Sequence, residues 1–197
     1  SNLVIDQNSS NDIGLFARTD GATLSNVTVD SGSITGQNCV GGIVGQADNT
    51  TMNSVVSTNT VSGNDNIGGL VGCYSAISGN SNIDNSFSSG EITVSGESGG
   101  GIIGFVDVQD SRSFIIDSNT SESSVSGNDA MGGLLGYVQA EDSDSSIIIS
   151  QNFTSGSVSG TYSVGGMIGY LQADNGADIA VSSNSIESGD IIGLGSV

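Results

Sequence analysis

The chain predicts an all-β, parallel β-solenoid, and three observations carry that prediction. A glycine-aliphatic hexamer recurs, as Val40-Gly41-Gly42-Ile43-Val44-Gly45 and then over 67–72, 99–104, 131–136 and 164–169. The first glycines of its pairs, Gly41, Gly68, Gly100, Gly132 and Gly165, are 27, 32, 32 and 33 residues apart, a period that marks a repeat architecture. Between the hexamers lie short runs of Val, Ile, Thr and Ser separated by Ser-Gly, Gly-Asn and Asn-Asp turns, with no helical period. The chain also has 31 Gly and no Pro: glycine suits corners, and without proline every coil keeps its N–H donors for a ladder.

The elements follow from these signals. Worn copies of the hexamer stand at Ile13-Gly14-Leu15-Phe16-Ala17 and Ile191-Ile192-Gly193-Leu194-Gly195, so Gly14, Gly41, Gly68, Gly100, Gly132, Gly165 and Gly193 mark six to seven coils in one domain spanning 1–197. Each coil of 27–33 residues is expected to hold about three strands. The glycine strand is the hexamer with its extension, as in Gly100 to Val108. The aliphatic strand is read at 3–8, 114–119, 147–152 and 179–181. The Ser-Gly strand is read at 33–36, 60–63, 92–96, 124–127 and 157–160. Copies stacked about 4.8 Å apart bury a core that no single coil could bury. On this reading the chain opens on an aliphatic strand and closes on a worn glycine strand. The C-terminal edge of one molecule is then expected to be continued by the N-terminal edge of the next, or both edges belong to a longer parent. An opening of Ser1-Asn2-Leu3 without Met points to a processed or excised segment.

Composition excludes several functions. There are 21 Asp and Glu against Arg18 and Arg112, with no Lys or His, for a net charge of −19. Nucleic acids and anionic membranes are held by clustered Lys and Arg, so neither is an expected partner. No run of about 18 apolar residues exists to span a bilayer. With no His, no Lys and no base beside either cysteine, no catalytic residues are assigned and an enzyme is not expected. Cys39 precedes its glycine pair by two residues and Cys73 follows the next by five. On straight stacked strands that offset is about 23 Å, so the two are expected to be free or bridged between molecules.

With Ser62-Gly63-Asn64-Asp65 and Ser126-Gly127-Asn128-Asp129 ahead of their glycine pairs, the repeats resemble the GLUG-motif repeats of large bacterial and archaeal surface proteins, adhesins among them. The resemblance covers nearly the whole chain. It implies a secreted or cell-surface stalk or adhesin region and no catalytic residues.

Stacking turns sequence columns into ladders. Adjacent apolar columns in the glycine strand read as a sheet apolar on both faces. The outer face is expected to carry Val40, Val44, Ile67, Val71, Cys73, Ile103, Phe105, Met131, Leu135, Tyr137, Val164, Ile168 and Tyr170. Between them, Gly41, Gly68, Gly100, Gly132 and Gly165 leave room for another backbone, so this strip is read as a contact surface for a second copy. Asp65, Glu97 and Asp129, each three residues before a glycine pair, form the best metal column, and Ca²⁺ suits their hard oxygens. A second acidic cluster is Asp107, Asp110, Glu141, Asp142 and Asp144. Asn-x-Ser/Thr sequons at Asn8, Asn26, Asn49, Asn119 and Asn152 are candidate glycosylation sites. Together these features lead to an expected extracellular structural subunit that builds a fibre, filament or sheath by lateral or head-to-tail contact with itself. The alternative is a stalk or ligand-binding segment of a larger secreted adhesin that meets a host or cell-surface ligand.

Overall fold

The computed structural model describes residues 3–79, 81–187 and 189–194. Among them there is no helix, and all strands pair in parallel into a β-solenoid of about six turns. Each coil visits five sheets in a fixed order. Sheet A has seven strands, from Val4–Asp6 to Ile191–Gly193. Sheet B has five, from Asn38–Gly41 to Val164–Gly165, extended by a bridge from Ile13 to Val40. Sheets C, D and E have six each, beginning at Phe16–Asp20, Thr23–Ser25 and Thr28–Val29 and ending at Ile168–Ala173, Asp178–Ser182 and Ser185–Ile186.

Five strands replace the expected three because two predicted segments bend. The hexamer breaks after its first glycine: one strand ends at Gly41 and the next begins at Val44. The aliphatic strand gives way to a short further strand at a left-handed residue, the column Asn26, Ser54, Asn85, Ser118, Gln151 and Ser183, with φ between 50° and 56°. A second left-handed column, Asp12, Cys39, Asn66, Ser98, Ala130 and Ser163, lies in or at the start of sheet B. Such conformations cost a side-chain-bearing residue on the order of 1 kcal/mol, least for Asn and Asp, and the ladders on either side hold them in place.

The ends correct two assignments. Val4–Asp6 pairs with Ser33–Thr35, so it belongs with the Ser-Gly strands. Ile191–Gly193 pairs with Val158–Gly160, which sets Gly193 against Gly160, so Gly193 does not mark a glycine strand. The early members of the aliphatic column, Thr23–Ser25, Thr51–Asn53 and Ser81–Asp84, carry one apolar residue each and give little sequence signal.

The cross-section has two lobes. Sheets C, D and E enclose the larger, where Tyr74 stacks on Phe114 with ring centroids 4.0 Å apart among Val71, Ile83, Val106 and Ile116. Sheets A and B enclose the smaller, built on Ile34, Val61, Ile92, Val125 and Val158 facing Val40, Ile67 and Met131. At the waist, the second glycine of each of the first three full pairs meets a hydroxyl from sheet E. A Cβ added to Gly42, Gly69 or Gly101 would collide with Ser57, Ser88 or Ser121 and with the carbonyl of the glycine one coil on.

An asparagine ladder lines the inside of the corner between sheets D and E. Ser86 N–H donates to Asn119 Oδ1 at 2.9 Å, Asn119 N–H to Asn152 Oδ1 at 2.9 Å, and Asn152 N–H to Asn184 Oδ1 at 2.8 Å. Each amide nitrogen donates back to the preceding coil, Asn119 Nδ2 to the Ile83 carbonyl and Asn152 Nδ2 to that of Ile116. Replacing Asn152 by alanine strands a buried N–H and a buried carbonyl together, at about 1–3 kcal/mol for each group left unpaired. The urea midpoint of Asn152→Ala is expected to fall accordingly; an unchanged midpoint would refute the role given to the ladder.

Candidate functional site

The hexamer does not present an outer face to a second molecule. Because the chain bends after the glycine pair, the residues before it line the smaller lobe and those after it the larger. Val40, Val44, Ile67, Val71, Ile103, Met131 and Leu135 are fully buried and Cys73 nearly so. Val164 and Ile168 are half-buried in the last coil, and only Tyr170 of the predicted strip is exposed. The close-approach glycines do admit a second backbone, but it is the chain's own. A Cβ on Gly41 would come 2.7 Å from the Leu70 carbonyl and 2.8 Å from Gly72 N, and one on Gly68 would meet Gly104 N at 2.7 Å. Gly100 and Gly132 face Gly136 N and Gly169 N in the same way, at 2.7 Å each, while Gly165 in the last described coil has Gly169 N at 3.5 Å.

The same bend overturns the expectation for the cysteines. Cys39 and Cys73 form a disulfide with their Cα atoms 5.0 Å apart. The glycine at 72 fits directly against the backbone of Cys39 and Val40, which brings Cys73 over Cys39 of the preceding coil. Straight-strand arithmetic placed them far apart because it carried the strand through the glycine pair.

What sheet C shows outside is a pair of ladders. Phe105, Tyr137 and Tyr170 stack in register, with centroids 5.5 and 5.0 Å apart. Two residues on, Gln139 Nε2 donates to Asp107 Oδ1 at 3.1 Å and to Glu141 Oε1 at 3.0 Å, and Gln109 Nε2 donates to Asp107 Oδ2 at 2.6 Å. The aromatic faces are turned largely toward one another, so the ladder is a stack within the solenoid and not an open platform. At the first coils the same face carries Arg18, paired to the buried carboxylate of Asp48, with Nε at 2.9 Å.

Burial, and then the neighbouring Asp142, holds the Asp107 carboxyl above its ordinary range, against the two glutamine donors, and the Asp107 charge does the same to Glu141. A carboxyl raised in the folded state takes up its proton more readily there than in the unfolded chain. Its contribution therefore grows as pH falls from neutral toward the ordinary carboxylate range near about 4. Asp117, held low chiefly by the Ser150 hydroxyl, and Asp30, held low by Thr58, work the other way and lose their contribution at still lower pH. The melting temperature is expected to pass through a maximum in mildly acid solution. Asp107→Asn should raise it at pH 7 and flatten the acid-side gain; a lower melting temperature for that variant at pH 7 would contradict this.

The metal column folds into local contacts. Asp65 Oδ1 accepts from Glu97 N–H at 2.8 Å, Asp65 Oδ2 from Asn64 at 2.7 Å, and Asp129 Oδ1 from Ala130 N–H at 2.7 Å. Among the described residues no group of three or more His, Cys, Asp or Glu is arranged to hold a metal ion. In the second cluster Asp142 accepts from Asp110 N–H at 2.7 Å. Of the sequons, Asn8 and Asn26 are exposed and Asn49 half-buried. Asn119 and Asn152 are buried in the corner ladder with their Nδ2 atoms donating, so the folded chain offers neither to a glycan. A sequence reading missed this ladder because its members are spelled Ser86, Asn119, Asn152 and Asn184, with Val27 and Val55 at the same place in the first coils.

The remaining surface of distinctive chemistry lies at the two ends of the described stack of coils. At the N-terminal end Phe16 is 38% exposed, whereas Val44 and Val71 in its column are fully buried. At the C-terminal end Val181 is 47% exposed and Ile186 53% exposed, continuing columns that are buried in earlier coils. Among the described residues, each end also leaves one edge of every sheet without a partner. Fold and surface together define a parallel β-solenoid repeat protein. No protein-family model, curated protein or solved structure matches the chain.

Proposed function

We propose that the chain is a non-catalytic, extracellular structural unit that associates with copies of itself head to tail into a longer rod. The observation that carries this is the chemistry at the two ends of the described stack: sheet edges without a partner among the described residues, beside the Phe16 and Val181 columns, whose apolar members are buried in the middle coils. Parallel edges of one hand do not close on themselves, so a heterologous contact between them propagates. The Cys39–Cys73 disulfide supports an oxidising compartment, and the resemblance to GLUG-motif surface proteins points to the same setting. The acidic surface sets the conditions: with a net charge of −19, copies repel at low ionic strength, and a Debye length shortened to about 8 Å at 0.15 M screens them.

Sedimentation velocity and negative-stain electron microscopy of the purified chain across a salt series test the reading. Straight rods that lengthen with salt and concentration are expected. A monomer at every salt and concentration would overturn it.

A further inference from the structure

Most polar side chains on the outside of the solenoid are engaged with one another. On sheet C the glutamines hold Asp107 and Glu141, and on sheet D Asp117 accepts from Ser118, Ser150 and Gln151. Sheet A differs. Its outward residues form two files of mostly short side chains, one running through Thr60, Glu91 and Ser124, the other through Thr93, Ser126 and Ser159. Among the described residues Thr60, Glu91, Thr93, Ser124 and Ser159 make no side-chain hydrogen bond, and Ser126 makes a single long one, to the Ile92 carbonyl at 3.4 Å.

Four serines shape a groove on this face. Ser124 and Ser126 lie beside Ser157 and Ser159 of the next coil, so the floor is low there, and one coil earlier stands the longer Glu91. The open cavity they leave has a volume of about 370 Å³, a size that takes a small ligand. Its chemistry excludes several partners. The backbone N–H and C=O groups of the strands beneath it are taken up by the parallel ladder, so a peptide strand has nothing to add to on this face. The one large apolar residue in the lining, Val125, is turned into the core, which leaves no patch for an acyl chain. Glu91 and a net charge of −19 repel polyanions. A ligand that both donates and accepts, as hydroxyls do, matches what is left.

We infer that this groove on the outer face of sheet A binds an uncharged, extended glycan laid along the solenoid axis. Sugar hydroxyls can donate to the Glu91 carboxylate and exchange donor and acceptor roles with Ser124 and Ser159, whose hydroxyls are free to rotate. The bond to the ionised carboxylate is the strongest that the groove offers. Its lining crosses three successive coils of sheet A, which sets the direction of the chain. The files repeat about every 4.8 Å, close to the length of one pyranose in an extended glycan, so successive sugars meet equivalent side chains on successive coils. The inference is independent of head-to-tail association.

The test titrates the full chain with cellohexaose and with N-acetylchitohexaose, two uncharged extended glycans, and follows backbone amide shifts by NMR. At least one is expected to bind at millimolar concentration or below, with shifts concentrated at residues 91–93, 124–126 and 157–159. Ser124→Val with Ser159→Val should weaken that binding about tenfold, the equivalent of two neutral hydrogen bonds, and valine suits outward strand positions. Thr23→Val with Thr51→Val, register partners on the outer face of sheet D, is the matched control and should leave binding unchanged. Glu91→Gln keeps an acceptor, so affinity should fall by less than about tenfold and stay independent of salt. Circular dichroism and melting of each variant establish that it is folded. No shift with either glycan, or shifts untouched by the serine pair, would overturn the assignment. Tighter binding of a chitosan hexamer, lost in Glu91→Gln and weakened by salt, would overturn it as well by making the ligand a cation.

Discussion

Replacing Cys39 and Cys73 together by serine is expected to lower the unfolding free energy by about 3–4 kcal/mol. The bridge closes a loop of 34 residues, and the chain-entropy relation for a loop of that length gives this magnitude. The loss should not spread evenly. In a solenoid each coil touches only its neighbours, so stability is close to a sum of coil and interface contributions. The bridge ties the first and second full glycine hexamers, and amide hydrogen exchange should accelerate chiefly in the coils around residues 38–76 while coils near residue 150 keep their protection. Denaturant unfolding of the double variant with exchange read by mass spectrometry checks both parts. A loss below about 1 kcal/mol, or uniform acceleration along the chain, would show that the bridge is not what secures these coils.

Gly101→Ala is expected to cost about 4 kcal/mol or more, among the largest effects a single methyl can have. The added carbon would collide with the Ser121 hydroxyl and, more seriously, with the backbone carbonyl of Gly133. A side chain can rotate away, but a carbonyl in the stacked turn cannot move without displacing the next coil. Overpacking at a rigid site is therefore relieved only by opening the waist between the lobes. Gly79→Ala is the matched control, because nothing lies within 4 Å of its added carbon, and it should leave stability unchanged within about 0.5 kcal/mol. Pairing Gly101→Ala with Ser121→Gly should recover only part of the loss, since the Gly133 carbonyl remains. Equal stability of the two glycine variants would remove the waist from the account of the fold.

The architecture was legible in the sequence to the extent that it depends on period. The spacing of Gly41, Gly68, Gly100, Gly132 and Gly165 predicts stacked coils, and the register pairs of sheet B align Gly41, Gly68, Gly100, Gly132 and Gly165 in that way. What period does not encode is direction. Val40 and Val44 look like two faces of one strand, yet the bend between them makes each an inside residue of a different lobe. That one geometric fact accounts for the misplaced contact strip, the separated cysteines and one of the two additional strands, the other coming from the bend at the left-handed residue after the aliphatic strand. Leu3–Asn8 misled for another reason: an apolar run followed by Gln-Asn fits several columns, and only pairing with Ser33–Thr35 decides among them.

The corner asparagines have a consequence for how the molecule holds together. Every amide in that ladder serves the coil before its own: the Asn119 N–H finds its acceptor in a side chain 33 residues further along the chain, and the Ile116 carbonyl finds its donor in that same side chain. A coil of this ladder is therefore complete only when its successor is in place to close its corner. Where the ladder runs, the loss of one coil is felt in the corner of the coil before it, so that damage spreads along the stack in one direction.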